Sequence, residues 1–316
     1  MTAPTRCSAV FLALALSLGV ATAARGAQAF IIVDFKSGHV LQEREAKQKR
    51  QVGSLTKVAT AMVVLDWAEK KGGDLGQIAT VPPEAFAGMS ENNIGLQAGD
   101  TLTLRDLMYA ALVQSDNVAA YTLANHVGNA LRSIVPSAGN GSAVAIFVSQ
   151  MNALAKNLAM ARTLFVNPHG SDANVKPVPY STAMDMARLT RYAMNKAGFR
   201  FYVSQKERQI SYNRAGTQKD YVLRSTNELL GAEGVDGVKT GRTARAGDCL
   251  ILSAQREAEV IKNSPTSATV IPRHLIVVLL GSADRFGEGR GLLAQGWQLY
   301  EQWAAGGRMV DPKKVL

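Results

Sequence analysis

Three short strings, Ser54-Leu55-Thr56-Lys57, Ser115-Asp116-Asn117 and Lys239-Thr240-Gly241, stand in that order along a chain of 316 residues. If they act together, the fold must carry three distant segments to one cleft. A serine hydroxyl is a poor nucleophile until a base takes its proton, and helical spacing of three residues puts Lys57 on the face of Ser54. The pattern therefore predicts an acyl-transfer centre with Ser54 as nucleophile and Lys57 as base.

Each string alone is cheap. Ser90-Glu91-Asn92 is a second S-x-N and Lys36-Ser37-Gly38 a second K-S-G, so context has to separate candidate from decoy. Lys36 to Gly38 lies between two short apolar runs, Phe30 to Phe35 and Val40 to Leu41, and reads as a hairpin turn. Ser90 sits in a Gly-, Asn- and Glu-rich surface stretch. Ser115 instead follows the strongly apolar run Leu102 to Val113 and precedes another helical run, which makes it the candidate.

The surroundings of Ser54 fit a nucleophile. Val58 to Leu65 is apolar on all sides, the mark of a helix buried in a large core, and Gly72-Gly73 ends it after Lys70 and Lys71. Ser54 is expected in the first turn, where unpaired N–H groups and the positive end of the helix dipole favour developing negative charge. A lysine beside so apolar a helix loses solvation, which lowers its pKa and suits it to act as a base.

Arg6, the apolar run Ala9 to Val20 and two small-residue cleavage sites, Ala21-Thr22-Ala23 and Ala27-Gln28-Ala29, predict a secretory signal peptide over residues 1–29. Cleavage is expected after Ala29, ahead of a first strand starting at Phe30. Cys7 precedes the apolar run, which argues against a lipoprotein, and Cys249 is left as a buried, inert thiol within a strand. The formal charge of +10 comes from scattered basic residues. With no nucleic-acid motif among them, it points to encounters with anionic envelope polymers and, at most, weak peripheral association with a membrane.

A coarse pass places strands at Phe30 to Phe35 and His39 to Leu41, then the Ser54 helix and a polar, irregular stretch from Gly72 to Gly99. Helices follow at Leu104 to Leu112, Val118 to His126, Ala143 to Leu158 and Thr182 to Met194. Strands return at Gln209 to Tyr212, Val235 to Thr240, Asp248 to Ser253 and Leu275 to Gly281, and a last helix runs from Gly291 to Ala304. Strands at both ends with helices between predict an α/β (α+β) domain over residues 30–316: a mixed sheet of N- and C-terminal strands flanked by helices, with a helical subdomain inserted at about 75–225. The last helix carries Leu292, Leu293, Trp297, Tyr300 and Trp303 but lacks cationic residues on its polar face, so it is expected to pack on the sheet and not on a membrane.

On these motifs the chain resembles the low-molecular-mass penicillin-binding proteins, the D-alanyl-D-alanine carboxypeptidases of peptidase family S11. The likeness runs from Ile31-Ile32-Val33-Asp34 to the Trp297 region. Besides the three strings it includes Pro168-His169-Gly170-Ser171-Asp172, Tyr180 to Ala187, Thr226 to Leu230 and Gly237 to Gly241 running on to Ala246-Gly247. It implies a β-lactamase/transpeptidase-like fold, peptidoglycan stem peptides as substrate, β-lactams as covalent inhibitors and a periplasmic or secreted location. Many relatives continue into a β-rich second domain and an amphipathic anchor, and neither is expected here.

Carried over residue by residue, the resemblance implies that Ser54 attacks the penultimate D-Ala carbonyl and that Lys57 takes its proton. Ser115 relays a proton to the leaving nitrogen, and Asn117 bonds the peptide amide. The backbone N–H groups of Ser54 and Arg242 would form the oxyanion hole. Lys239 and Thr240 would hold the terminal carboxylate with Arg224 nearby, and Gly241 would let the peptide lie against its strand. The residues themselves leave alternatives: an endopeptidase cutting D-alanyl cross-links, a serine β-lactamase, or a non-catalytic envelope-binding protein. The E-x-x-L-N pattern of a class A β-lactamase is absent between Asn117 and Lys239. His39, His126 and His274 read as structural or surface residues, and His169 as the orderer of a loop. No cofactor is expected, and no metal, since neither an H-E-x-x-H spacing nor a cysteine pair occurs.

Overall fold

The computed structural model describes residues 26–88, 91–132 and 141–316. The predicted signal segment lies almost wholly outside them. Strands β1 (Ala29–Asp34) and β2 (Val40–Arg44) open the fold as a hairpin. Gly38 makes its turn at φ 77° and the Asp34 carboxylate accepts from Ser37, so Lys36-Ser37-Gly38 is the turn its flanking runs predict.

A 3-10 turn at Gly53–Thr56 leads directly into α1 (Lys57–Lys71), in which every residue from Lys57 to Leu65 is buried. A helix apolar all round needs neighbours all round. It has them in α2 (Leu104–Val113), α3 (Asn117–Arg132), α4 (Ala143–Asn157), α5 (Ala183–Met194) and α6 (Ala197–Val203). Gly72 ends α1 in the left-handed conformation, φ 68°, and Thr103, Ser142 and Thr182 cap α2, α4 and α5 through their hydroxyls.

The main sheet has the order β2-β1-β9-β8-β7, completed by β7 (Val235–Thr243), β8 (Gly247–Ser264) and β9 (Ser267–Ser282). N- and C-terminal strands meet as expected, with Ala29 opposite Leu280 and Asp34 opposite Leu275. The sheet was expected to be mixed, but every pairing in it is antiparallel. One face packs on α5 and the helical core. The other is covered by α7 (Arg285–Ala305), whose Leu293, Trp297 and Tyr300 are buried against Ile32, Leu250, Leu275 and Val277. Each of those side chains contributes roughly 1.5–3 kcal/mol by leaving water. Gly289 and Gly296 let the helix come close: a Cβ at either would lie within 3 Å of Leu250 or Ile32. The apolar face of this helix is thus spent on packing.

Several elements differ from the sequence reading. A second antiparallel sheet, β3-β4-β5-β6, is formed by β3 (Ile78–Thr80), β4 (Thr101–Thr103), β5 (Glu207–Arg214) and β6 (Thr217–Arg224). β6 went unseen because Thr217–Arg224 is polar and mostly exposed. Strands β8 and β9 run far past the sheet as a projecting hairpin, their outer residues exposed. The first strand begins at Ala29, not Phe30, and both Ala27 and Ala29 are buried. Among the described residues no helix is long and apolar enough to cross a membrane.

Candidate active site

Ser54 lies in the 3-10 turn before α1, not in the helix proper. In 3-10 geometry residues i and i+3 eclipse, which stacks Lys57 over Ser54 with Nζ 2.8 Å from Oγ. Ser54 is no helix cap; that position belongs to Thr56, and no side chain caps α1. Lys57 is fully buried and donates also to Asn117 Oδ1 at 2.6 Å and to the His169 carbonyl at 3.3 Å. All three ammonium hydrogens are therefore engaged. Burial lowers its pKa to about 8, against the opposing pull of Glu91 and Asp116.

Ser115 sits at the bend between α2 and α3, where its φ is 65°. A non-glycine residue held in that region stores strain, and such residues gather at functional sites. Asp116 holds the bend together: Oδ1 accepts from Ala119 N–H at 2.8 Å, capping α3, and Oδ2 accepts from Ile94 N–H at 3.2 Å. Its burial raises its own pKa. Asn117 then starts α3 with its amide oxygen on Lys57.

The third string lies on β7, an edge strand of the main sheet. Lys239 is 1% exposed and donates to Ser115 Oγ at 2.8 Å and to the Thr240 carbonyl at 3.0 Å. Burial lowers its pKa, and the charges of Lys57 and Arg285 lower it further. Thr240 shares a 2.6 Å hydrogen bond with Thr226.

Gly241 leaves room for the Ser54 turn. A Cβ there would lie 2.6 Å from Val52 O and 3.1 Å from Leu55 N, so its bare face is filled by the Ser54 turn. Gly53 in turn packs on the backbone of Arg242, and Gly170, at φ 87°, packs on the carbonyl of Gly53. Three glycines clamp the nucleophile's turn between β7 and the 168–172 loop.

A cleft of about 260 Å³ opens over Ser54, lined by Glu91, Asn117, His169 to Ala173 and Arg242 to Ala244. Arg242 reaches outward to Asp248, 3.4 Å away. Thr243 donates to the buried Asp172 carboxylate at 2.6 Å. His169 is buried, with a pKa lowered to about 3, so its ring is neutral at physiological pH and Nδ1 accepts the Ser171 N–H at 3.2 Å.

Arg224 is not brought to the cleft. Its guanidinium is exposed at the end of β6 and bonds Glu207 at 3.1 Å. The arginine that the structure places beside the third string is Arg285, at the start of α7, which donates to the Gly241 carbonyl at 3.3 Å and has a buried Nε without a partner. Sequence reasoning also missed Thr226 and Glu91, although Thr226 opens the T-N-E run noted above. Glu91 belongs to the rejected Ser90-Glu91-Asn92. Asn92 folds its own loop onto Leu96, as a surface turn should, while Glu91 turns inward to the cleft. Ser90 lies outside the described residues.

The remaining histidines are bonded elsewhere: His39 stacks on Trp303, His126 meets Gln77, and His274 bonds Ser253 and stacks on Phe35. Among the described residues no cluster of His, Cys, Asp or Glu is arranged to hold a metal. Cys249 is buried in β8 with its pKa raised to about 11 by burial, an unreactive thiol.

An antiparallel sheet with a buried helical lobe, two serine–lysine pairs and an edge strand meeting in one cleft defines a serine acyl-transfer centre. The family model of peptidase S11, D-alanyl-D-alanine carboxypeptidase, matches residues 18–263, and the chain belongs to that family. It is 32% identical over 285 residues to D-alanyl-D-alanine carboxypeptidase DacC of Escherichia coli K12, covering 87% of this chain and 62% of that protein. To DacF of Bacillus subtilis 168 it is 26% identical over 234 residues, 74% of this chain and 55% of the relative. The chain thus spans less than two thirds of the length of these curated relatives. The crystal structure of the Streptomyces K15 DD-transpeptidase superposes with a TM-score of 0.71 at 25% identity, covering 86% of this chain and 97% of that one. Penicillin-binding protein D2 of Listeria monocytogenes, in an ampicillin-bound form, gives 0.63 at 25% identity over 86% and 97%.

Proposed function

We propose that this chain is a serine D-alanyl-D-alanine carboxypeptidase acting on peptidoglycan stem peptides through an acyl-enzyme, with β-lactams as covalent inhibitors. The observation that carries the reading is the 2.8 Å contact between a fully buried Lys57 Nζ and Ser54 Oγ inside a cleft. Neutral Lys57 takes the hydroxyl proton as Ser54 Oγ bonds the penultimate D-Ala carbonyl carbon. The backbone N–H groups of Ser54 and Arg242 receive the oxyanion. Ser115 passes its proton to the departing nitrogen and is resupplied by the Lys239 ammonium that donates to it, so the peptide bond breaks and D-Ala leaves as a neutral amine. Water then attacks the ester, giving its proton to the Ser115–Lys239 pair, while Lys57 returns its proton to the departing Ser54 Oγ. Asn117 bonds the acyl-side amide, and the terminal carboxylate is met by Thr240, the remaining hydrogen of Lys239 and Arg285. No metal or cofactor enters these steps.

The same reading places the enzyme in the bacterial periplasm or outside the cell, reached through the N-terminal signal segment. Residues from Ala29 onward form its catalytic unit, with a helical insert at about 75–225. Incubation with defined monomeric and cross-linked muropeptides, with products read by mass, tests it. Loss of a single D-Ala from monomers is expected; cleavage confined to cross-linked dimers would make the protein an endopeptidase, and no cleavage of either would overturn the reading.

A further inference from the structure

The neutral form of Lys57 poses a geometric problem: its lone pair has to face Ser54 Oγ, and nothing intrinsic to an amine decides which of its three directions that is. Two acceptors decide it. If both remaining N–H groups are bound by Asn117 Oδ1 and the His169 carbonyl, the lone pair falls on Ser54. The carbonyl can only accept. Asn117 is different, because a side-chain amide turned by 180° offers Nδ2 in place of Oδ1 with almost no change in shape. While Lys57 is an ammonium it demands the oxygen. Once neutral, it would accept from Nδ2 equally well, and its lone pair would be lost to Ser54.

Glu91 removes that freedom. Asn117 Nδ2 donates to Glu91 Oε2 at 3.3 Å, and the Asn117 backbone N–H donates to the Glu91 carbonyl at 3.4 Å. An ionised carboxylate accepts and never donates, so the side of the amide that faces Glu91 must be Nδ2 whatever the charge on Lys57. We propose that Glu91 is a positioning residue, holding the Asn117 amide in the orientation that keeps the lone pair of neutral Lys57 on Ser54. The inference rests on Lys57 being the base. Nδ2 has a second hydrogen, which stays free for the acyl-side carbonyl of the substrate.

The electrostatic surroundings agree. Facing Lys57 are Asp116 and Glu91 with opposite charge, Lys239 with like charge, and neutral His169; facing Glu91 across the cleft are Arg242 on β7 and Asp172 in the 168–172 loop. Removing the Glu91 charge therefore pushes the Lys57 pKa down while leaving its other neighbours in place.

Acylation by a fluorescent penicillin, followed against pH, tests this with Glu91→Gln, Glu91→Ala, Asn117→Ala and the double variant Glu91→Ala/Asn117→Ala. Glu91→Gln offers Asn117 either an oxygen or an NH2, so the amide is again free to turn: its high-pH rate should fall toward that of Glu91→Ala, and its rising limb shifts to lower pH. Glu91→Ala should lose roughly tenfold on the high-pH plateau, the scale of one charge-assisted hydrogen bond, with its rising limb also moved to lower pH. Because Glu91 acts through Asn117, the double variant should be no slower than Asn117→Ala. A Glu91→Ala protein that acylates like the parent, or a double variant slowed by the product of the single effects, overturns the positioning role and leaves the serine–lysine reading intact. A parent that does not acylate at all overturns both.

Discussion

Lys239 Nζ lies 2.8 Å from Ser115 Oγ, so the lysine of the third string is joined to the serine of the second. Ser54 has Lys57 at the same distance. The cleft therefore holds two serine–lysine pairs, both lysines buried and both with lowered pKa values. A desolvated ammonium gives up its proton more readily. In the proposed mechanism one pair takes a proton from the nucleophile and the other hands one to the leaving group. Lys239 has only one hydrogen left over, so the proposed mechanism asks more of Thr240 and Arg285 in holding a substrate carboxylate.

Ser54→Ala should abolish covalent labelling by a fluorescent penicillin while the protein still unfolds cooperatively on heating. Gel fluorescence after denaturation reads the bond directly. Labelling of the variant at the parental level would remove Ser54 as the nucleophile.

Acylation by the parent should rise with pH through a midpoint near 8, because Lys57 is protonated below its lowered pKa of about 8 and acts as a base only above it. Lys57→Arg stays protonated throughout. It should acylate at least about a hundredfold more slowly and lose the rising limb, a general-base contribution of ordinary size. Stopped-flow quenching of protein fluorescence from pH 6 to 9.5 would resolve the limb; a flat profile contradicts the assignment.

Arg285→Leu and Arg224→Ala separate the structure from the sequence reading of the carboxylate site. Arg285 touches the Gly241 carbonyl, whereas Arg224 is tied to Glu207 on the exposed end of β6. Turnover of a peptide ending in a free D-Ala carboxylate should fall about tenfold or more in Arg285→Leu, the loss of one charged contact. It should be unchanged in Arg224→Ala. Equal effects of the two variants would return Arg224 to the site.

Gly241→Ala should damage both stability and chemistry. Its Cβ would lie 2.6 Å from Val52 O, so β7 and the Ser54 turn must part. Overpacking of this kind costs roughly 1–3 kcal/mol. Thermal unfolding and penicillin acylation should decline together. Full acylation at a parental melting temperature would show that the two segments part freely.

How far the sequence was legible follows from where each signal lies. The apolar runs of α1, β1 and β9 announced the core because burial on all sides leaves few polar residues among them; Thr60 of α1 is buried with its hydroxyl on the Pro168 carbonyl. Ser54, Lys57, Ser115, Asn117 and Lys239 were legible because spacing and order carry their chemistry. Glu91, Thr226 and Arg285 were not, since Glu91 reaches the cleft, and Thr226 and Arg285 reach β7, only through tertiary folding. The packing at Gly241 was not legible for the same reason: only the approach of Val52 and Leu55 shows what fills its bare face. β6 and the outer β8–β9 hairpin lack a buried face, so the alternation that betrays a strand is missing there.

The mature N-terminus is the last quantity that the fold bears on. Cleavage after Ala29 would cut away Ala27, which is 1% exposed and bonded through its N–H to Glu288, and Gln28, whose N–H donates to the Gly281 carbonyl at 3.2 Å. It would also remove Ala29, the partner of Leu280 at the start of β1. The cut is made before the chain folds, so the folded protein has these contacts only if the cut falls upstream of them. The Ala21-Thr22-Ala23 site lies upstream of all these contacts. Intact-mass measurement of the exported protein should therefore give an N-terminus at Ala24. A mature chain beginning at Phe30 would mean that the bonds of Ala27, Gln28 and Ala29 are dispensable to the folded enzyme.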